Sequence, residues 1–218
     1  KLTLSAAGLL ANDSDVDTGE TKTLVYVAGG AAGTSVSIVD GDVVYNPGAV
    51  FQSLNAGQSA TDSFTYSMQD SAGARSTAMV TVTIAGSNDA PVANPLTATL
   101  AEDGSIVLNL LGAVGDVDGD ALSLSVANPQ SGTLVRNTDG SYTYTPNADF
   151  NGADSFTYSV DDGELTSNVA TVAITVTAVN DAPVAGDRSA ALDEDSAVTL
   201  NLLAGASDID GDVLTVAA

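Results

Sequence analysis

The sequence predicts an all-β protein made of tandem, seven-stranded antiparallel β-sandwich domains. The hexapeptide Asn-Asp-Ala-Pro-Val-Ala at positions 88–93 recurs unchanged at positions 180–185, which is 92 positions further on. A repeat this long is a whole domain, because solenoid and propeller repeats span only about 20 to 50 residues. Within each repeat, apolar and polar residues alternate with a period of two, and Gly, Asn, Asp and Pro separate the alternating segments. This combination is typical of half-buried strands joined by short turns.

The second repeat shows its strands most clearly. Five runs alternate clearly, at 107–110, 122–126, 142–145, 156–160 and 172–176. Two further segments, an opening one at 92–100 and one at 132–135, bring the number of predicted strands to about seven. About seven strands in a domain of this length suit an antiparallel sandwich. The inward-facing residues form the expected core, which is Leu108, Leu110, Leu122, Leu124, Tyr144, Phe156, Tyr158, Val172, Ile174 and Val176.

The repeat divides the chain into three units. Residues 1–87 form a unit that lacks its first strand, residues 88–179 form a complete unit, and residues 180–218 form the N-terminal part of a third. The first unit is a variant of the second, because Pro47 and Asp62 are 15 positions apart whereas the corresponding Pro146 and Asp154 are 8 apart. We expect the native protein to continue in both directions, since a two-strand fragment is only marginally stable by itself.

Charge and composition exclude several classes of function. The 28 acidic residues outnumber the 5 basic ones and give a net charge of −23, so nucleic acid and anionic lipid surfaces should be repelled. The absence of His and Cys removes the usual zinc sites and the Ser-His-Asp triad, so we expect no enzyme activity. No apolar stretch approaches the length of a membrane span, so no insertion into a bilayer is expected in this segment.

The clustered carboxylates predict a bound cation. Two carboxylates 4 Å apart repel by about 4 kcal/mol at an effective dielectric constant near 20, and a cation would relieve that repulsion. Oxygen ligands on irregular loops favour calcium, because magnesium demands a regular octahedron. The candidate ligands are Asn88, Asp89, Glu102, Asp116, Asp118, Asp154, Asp162, Asn180, Asp181, Glu194, Asp208 and Asp210.

The alternation of strand ends in a sandwich places these residues in two groups. Asp116, Asp118 and Asp162 should lie at the same pole as the incoming linker, residues 88–89. The opposite pole should carry a second group that meets the outgoing linker, and its members are Glu102, Asp149, Asp154, Asn180, Asp181, Asp208 and Asp210. An isolated Asp-Gly step is usually only a turn, so the recurrence of the clusters is what favours a metal.

The motifs also resemble those of a known family. The Asn-Asp-Ala-Pro linkers, the run Gly-Asp-Val-Asp-Gly-Asp at 115–120 and the strand at 156–163 resemble cadherin-type repeats of large bacterial surface adhesins of the RTX type. The segments 9–17 and 57–66 of the first unit are similar to the VCBS repeats of the same proteins. The resemblance implies an immunoglobulin-like, cadherin-like sandwich with calcium bound between successive domains.

The resemblance assigns parts to individual residues. Glu102 corresponds to the acid at the base of the first strand, Asn180 and Asp181 to linker ligands, and Asp208 and Asp210 to an Asp-x-Asp pair. Asn88, Asp89, Asp116, Asp118 and Asp162 play those parts at the first junction. Two features depart from the family pattern. Gly86 and Ala178 stand where cadherin linkers carry another Asp, and the Leu-Asp-Arg-Glu element is missing, so fewer ions per junction are expected.

The leading hypothesis is a calcium-rigidified extender of an extracellular bacterial adhesin, exported by a type I system and serving adhesion or biofilm formation. Its partners would be calcium and the neighbouring repeats, with any glycan or surface protein bound outside this segment. One alternative is a direct carbohydrate- or protein-binding module that uses a sheet edge or the loop at 47–62. Another is a non-catalytic spacer of a secreted enzyme.

Overall fold

The computed structural model describes residues 1–17 and 19–217, and the regular secondary structure of these residues consists almost entirely of β-strands, as predicted. Two compact units can be distinguished. The first comprises Lys1–Val92 together with Gly115–Ser123 and Val160–Ser167, and the second comprises Ala93–Val114, Leu124–Ser159 and Asn168–Ala218. No helix in the described part of the chain is long and apolar enough to cross a bilayer.

The first unit contains two three-stranded antiparallel sheets. Its elements are β1 (Leu2–Leu4), α1 (Ala6–Leu9), β2 (Thr23–Gly29), β3 (Ser35–Val39), β4 (Asp42–Asn46), β5 (Ser59–Gln69) and β6 (Arg75–Ala85). One sheet has the order β1-β4-β3 and the other the order β2-β5-β6. Val43, Tyr45, Phe64 and Val82 form the centre of the core, and the rings of Tyr45 and Phe64 stack with their centroids 6.1 Å apart.

The second repeat, residues 88–179, has a four-stranded and a three-stranded sheet. Its strands are β8 (Leu96–Ala101), β9 (Ile106–Leu108), β11 (Ser123–Val126), β12 (Gly132–Arg136), β13 (Tyr142–Pro146), β14 (Gly152–Asp161) and β15 (Ala170–Thr177), with short β7 (Val92–Ala93), β10 (Val114–Gly115) and a 3-10 helix at Leu111–Ala113. The sheet orders are β11-β14-β15-β8 and β12-β13-β9. Val172, Ile174 and Val176 alternate inward along β15 and are buried.

The structure departs from the predicted sandwich in the opening strand. The segment predicted at 92–100 is divided into β7 and β8 around Pro95, which has no N–H for a strand ladder. β8 pairs in parallel with β15, whereas an antiparallel sandwich was predicted. In the core, Leu122 and Leu124 are only partly buried, while the other eight predicted residues are buried.

The third repeat contains less regular structure than predicted. In the described residues after 180, the strand-like backbone pairing consists of one isolated antiparallel bridge between Val184 and Ser207. The expectation that this fragment contains two strands is therefore wrong for the described residues. Residues 188–193 correspond to β8 at the 92-residue offset, but no described strand stands beside them as β15 stands beside β8. Strand formation needs a partner ladder, and this segment has none among the described residues.

Candidate metal centres

The first candidate centre joins the linker at 88–89 to two acidic loops within the first unit. The Asn88 side-chain amide donates to Asp162 Oδ2 over 2.9 Å, and the Asp89 backbone N–H donates to Asp118 Oδ2 over 2.7 Å. The predicted meeting of the linker with Asp118 and Asp162 is therefore observed. We use the name Asn88 site for the group Asn55, Asn88, Asp89, Asp116, Asp118 and Asp162.

Backbone N–H groups hold the carboxylates of the Asn88 site in place. Asp116 Oδ1 accepts from the N–H groups of Gly119 at 2.6 Å and Asp120 at 3.1 Å. Asp162 Oδ1 accepts from the N–H groups of Glu164 and Leu165, both at 2.7 Å. The hydrogen bond from Leu165, followed by those from Asn88 and Glu164, holds the pKa of Asp162 below its usual value of 3.8. The carboxylate of Asp162 is thus favoured in its charged form.

Three oxygen atoms of the Asn88 site are shielded from solvent without a hydrogen-bond donor in the described chain. They are Asp116 Oδ2, Asp118 Oδ1 and Asn55 Oδ1. A buried acceptor without a partner costs about 1 to 3 kcal/mol, and more when it is charged. Two carboxylates that each use one oxygen on backbone donors and leave the other unpaired are suited to a cation with oxygen ligands.

Asn55 belongs to this site, although the sequence pattern did not identify it. It lies on the loop between β4 and β5, and its side-chain amide donates to Asp120 Oδ1 over 2.8 Å. Asn151 lies on the corresponding loop of the second repeat and donates to Glu102, so an Asn on this loop contacts an acidic residue in both repeats. The first repeat has a longer loop, so the position of Asn55 could not be read from the 92-residue offset.

The second candidate centre lies within the second unit, and we call it the Asp181 site. Carboxylate oxygens of Glu102, Asp181 and Asp210 lie within 4.8 Å of one another. Asp149 and Asp208 line a neighbouring cavity of about 400 Å³ together with Asp181. The predicted meeting of Glu102 and Asp149 with the outgoing linker and the third repeat is observed.

Glu102 anchors the Asp181 site. Its side chain is only 5% exposed, and its Oε1 accepts from the backbone N–H of Val179 over 2.6 Å. Its Oε2 accepts from Asn151 over 3.3 Å. The acid at the end of β8 therefore holds the linker after β15 and leaves the site rich in negative charge.

The accumulated charge is reflected in Asp181. Desolvation raises the pKa of Asp181 above 3.8, and the negative charges of nearby carboxylates raise it further; these are Asp103, Asp149, Asp210 and Glu102. A raised carboxyl pKa shows that the charged form is disfavoured. A bound cation would remove that cost, so the electrostatics of the site suit a metal.

An equivalent backbone contact occurs in each of the two centres. The Asp181 N–H donates to Asp210 Oδ2 over 2.6 Å, and the equivalent Asp89 N–H donates to Asp118 Oδ2 over 2.7 Å. Asp208 accepts from the N–H groups of Asp210 and Asp212, at 3.0 and 3.2 Å. The linker bond and the bond from the residue four positions after the first Asp therefore recur at both centres, whereas the second donor differs, being Gly119 in one loop and Asp210 in the other.

Three of the predicted ligands lie outside these groups of carboxylates. Glu194 is exposed on an irregular segment, and the Asn180 side chain donates to the carbonyl of Asp181 over 3.0 Å. Asp154 is buried, and its Oδ2 accepts from the Tyr144 hydroxyl over 2.8 Å. Burial alone would raise the pKa of Asp154, but the bonds from Tyr144 and from three backbone N–H groups hold it below 3.8. Metal binding by these three residues stays a prediction.

A further acidic group, Asp15, Glu20 and Asp70, lies in the first unit. Glu20 Oε2 accepts from both the N–H and the hydroxyl of Ser71. Lys22 and Arg75 line the pocket that contains Asp15 and Asp70. Two basic side chains therefore lie in the same pocket as two of these three carboxylates.

Comparison with protein families identifies the repeats. The cadherin-like domain family matches residues 87–177 and 179–218, and the bacterial cadherin-like domain family matches residues 1–86. The chain belongs to the cadherin-like domain family. The predicted resemblance to cadherin-type repeats is thereby confirmed, while the narrower RTX and VCBS assignments stay predictions. No curated protein matches the chain.

Solved structures that match the chain include cadherins and enzymes. Domains EC1-2 of human mucin-like protocadherin are 16% identical over 76% of this chain and 87% of that one, with a TM-score of 0.38. Domains 3–6 of protocadherin gamma B2 are 16% identical over 81% and 46%, with a TM-score of 0.41. An endo-fucoidan hydrolase of glycoside hydrolase family 107 is 24% identical over 77% of this chain, with a TM-score of 0.33. The chain spans about a quarter of the length of that hydrolase.

Proposed function

We propose that this chain is a calcium-rigidified extender of an extracellular bacterial adhesin. The observation that carries the proposal is the set of three donorless, shielded oxygen atoms in the Asn88 site. Cadherin-like domains generally bind calcium, and bacterial members are typically extracellular. RTX-type export and a role in biofilm formation are the narrower parts of the same proposal.

The residues present fit calcium. Every candidate ligand in both sites is a carboxylate or amide oxygen, which calcium accepts in sets of six to eight and in irregular geometry. In the Asn88 site, Asp116 Oδ2, Asp118 Oδ1 and Asn55 Oδ1 would hold the ion. In the Asp181 site, Glu102, Asp181 and Asp210 would do so. Metals that prefer thiolate or imidazole ligands are disfavoured, because the chain contains no Cys or His.

The chain's own contacts explain why an ion would stiffen it. At each site a linker N–H already binds an Asp of the following Asp-x-Asp loop, so the linker and the loop are in contact before the ion arrives. Carboxylates crowded around that contact repel one another and favour its opening. Calcium would supply the opposing charge and fix the linker. Sites of about 10⁻⁴ to 10⁻³ M affinity would be filled outside the cell and empty inside it.

Calorimetric calcium titration of the full chain tests this proposal. We expect saturable binding at about 10⁻⁴ to 10⁻³ M, with magnesium binding more weakly. Asp118→Asn should remove binding at the Asn88 site, and Asp210→Asn should remove binding at the Asp181 site. Asp40→Asn is a matched control, since Asp40 is an exposed turn residue with a φ of 53° that Asn tolerates. Absence of saturable binding by the parent chain would contradict the proposal.

A further inference from the structure

The side-chain amide of Asn55 has a fixed orientation. Its Nδ2 donates to the carboxylate of Asp120, and turning the amide would place two acceptor oxygens against each other. Its backbone N–H also donates to Gln58 Oε1 over 3.2 Å, which braces the loop. Asn55 Oδ1 is therefore the atom left over, and it is shielded without a donor in the described chain.

Asn55 is linked through Asp120 to Asp116, which carries another of the donorless oxygens. The Asp120 N–H donates to Asp116 Oδ1, so the residue that orients Asn55 also fixes Asp116. Asp116 and Asp118 lie on the same loop and hold the remaining two unpaired oxygens. Asn55 and Asp116 thus belong to one chain of hydrogen bonds through Asp120, and Asp118 lies two positions from Asp116 on the same loop within the first unit.

Gly86 gives the Asn55 loop its place. A Cβ atom at position 86 would lie 2.2 Å from the carbonyl oxygen of Leu54 and 2.3 Å from that of Asn55. The Gly86 N–H donates to the Gln58 carbonyl over 2.9 Å, so the linker and the loop are tightly joined. The equivalent position in the second repeat is Ala178, where the preceding loop is shorter. A side chain at position 86 and the observed loop position exclude each other.

We propose that the side-chain oxygen of Asn55 is a calcium ligand in the Asn88 site and that Gly86 is the residue that admits it. This inference rests on the calcium function proposed above. An amide oxygen is an ordinary calcium ligand, and it completes a ligand set without adding to the repulsion between Asp116 and Asp118. The longer loop of the first repeat therefore supplies a neutral ligand next to position 86, where the linker has Gly instead of a residue with a carboxylate.

The test uses the full chain carrying Asp210→Asn, which silences the Asp181 site, and measures calcium affinity together with the hydration of bound terbium(III). Asn55→Ala should raise the calcium dissociation constant by about tenfold or more, and bound terbium should gain about one water molecule, as judged from luminescence lifetimes in H₂O and D₂O. The matched control is Asn46→Ala at the end of β4, because the Asn46 side chain accepts only from the Gly48 N–H among its described contacts. This control should change neither quantity.

Two further variants separate a ligand from a structural role. Asn55→Asp keeps an oxygen ligand but replaces the donor to Asp120 by a second carboxylate, so it should retain more calcium affinity than Asn55→Ala. A loss equal to that of Asn55→Ala would assign the effect to the Asp120 hydrogen bond and overturn the inference. Gly86→Ala should weaken binding with Asn55 intact, and calorimetry would verify that the variant folds. Unchanged affinity and hydration in Asn55→Ala would also overturn it, whereas failure of the parent to bind would contradict the calcium function itself.

Discussion

Replacing Asp118 by Asn should have opposite effects on stability without and with calcium. In the Asn88 site, Asp118 Oδ2 accepts the Asp89 N–H, while Oδ1 is shielded without a donor. The variant can keep the first bond through its amide oxygen and place an NH₂ group where Oδ1 stood. It then removes one unpaired charged acceptor and one negative charge from the Asn88 site. Since each unpaired acceptor costs about 1 to 3 kcal/mol, the calcium-free variant should be more stable by a similar amount.

Calcium reverses the comparison. At a free concentration of 100 times its dissociation constant, a ligand stabilises the folded state by about 2.7 kcal/mol. If loss of the Asp118 carboxylate weakens binding about 100-fold, the same calcium concentration contributes only about 0.4 kcal/mol. The calcium-induced increment is the diagnostic quantity, because it does not depend on how much the calcium-free variant gains.

Scanning calorimetry in calcium and in chelator measures both quantities. Asp40→Asn makes the same change of charge in the first unit and should leave the increment at its parent value. The reasoning would be refuted if Asp118→Asn lowered the stability of the calcium-free protein, or if it kept the full calcium increment. Either result would mean that the unpaired oxygens of the site carry no cost that a cation relieves.

The remaining predictions concern the buried tyrosines and their carboxylate partners. Tyr144→Phe should lower the free energy of unfolding by about 1.5 to 3 kcal/mol in urea denaturation, because it removes a hydrogen bond to the charged Asp154. The control Tyr26→Phe, at a side chain that is 56% exposed, should lower the free energy of unfolding far less. The folded pKa of Asp154 lies below 3.8, so its stabilising contribution is present above pH 3.8 and should be lost as the pH falls through the folded pKa, which melting temperatures below pH 4 would reveal. Burial, followed by the hydrogen bond to Asp62, raises the pKa of Tyr45 from 10.0 to about 12. The free energy of unfolding should therefore decline as the pH rises from 10 to 12. An ultraviolet titration in which Tyr45 ionises completely near pH 10 would contradict this.

Much of the fold and of both candidate sites followed from the repeat. The period-two alternation predicts the strands, and the alternation of strand ends predicts that Asp118 and Asp162 lie beside the linker. What sequence could not show was the pairing of β8, because the alternation fixes which face a strand buries and not the direction of its neighbour. The parallel pairing of β8 with β15 therefore cannot be recognised from the apolar and polar pattern of β8.

Two side chains show where reasoning from a repeat stops. Asn55 was missed because the loop that carries it is longer than its counterpart, and the space for that loop depends on the absence of a Cβ at Gly86. Asp154 matched the acidic pattern, but its oxygens accept from Tyr144 and from backbone N–H groups inside the second unit. A spacing rule identifies which residue types recur, whereas the donors that saturate each carboxylate depend on tertiary packing.

Small-angle X-ray scattering of the full chain, recorded in calcium and again after chelation, tests the central claim most directly. We expect calcium to give a longer maximum dimension and a narrower distribution of conformations, with magnesium far less effective, because filled sites fix the linkers at 88–89 and 180–181. Superimposable profiles in calcium and in chelator, from samples shown to be monomeric, would contradict a calcium-stiffened extender.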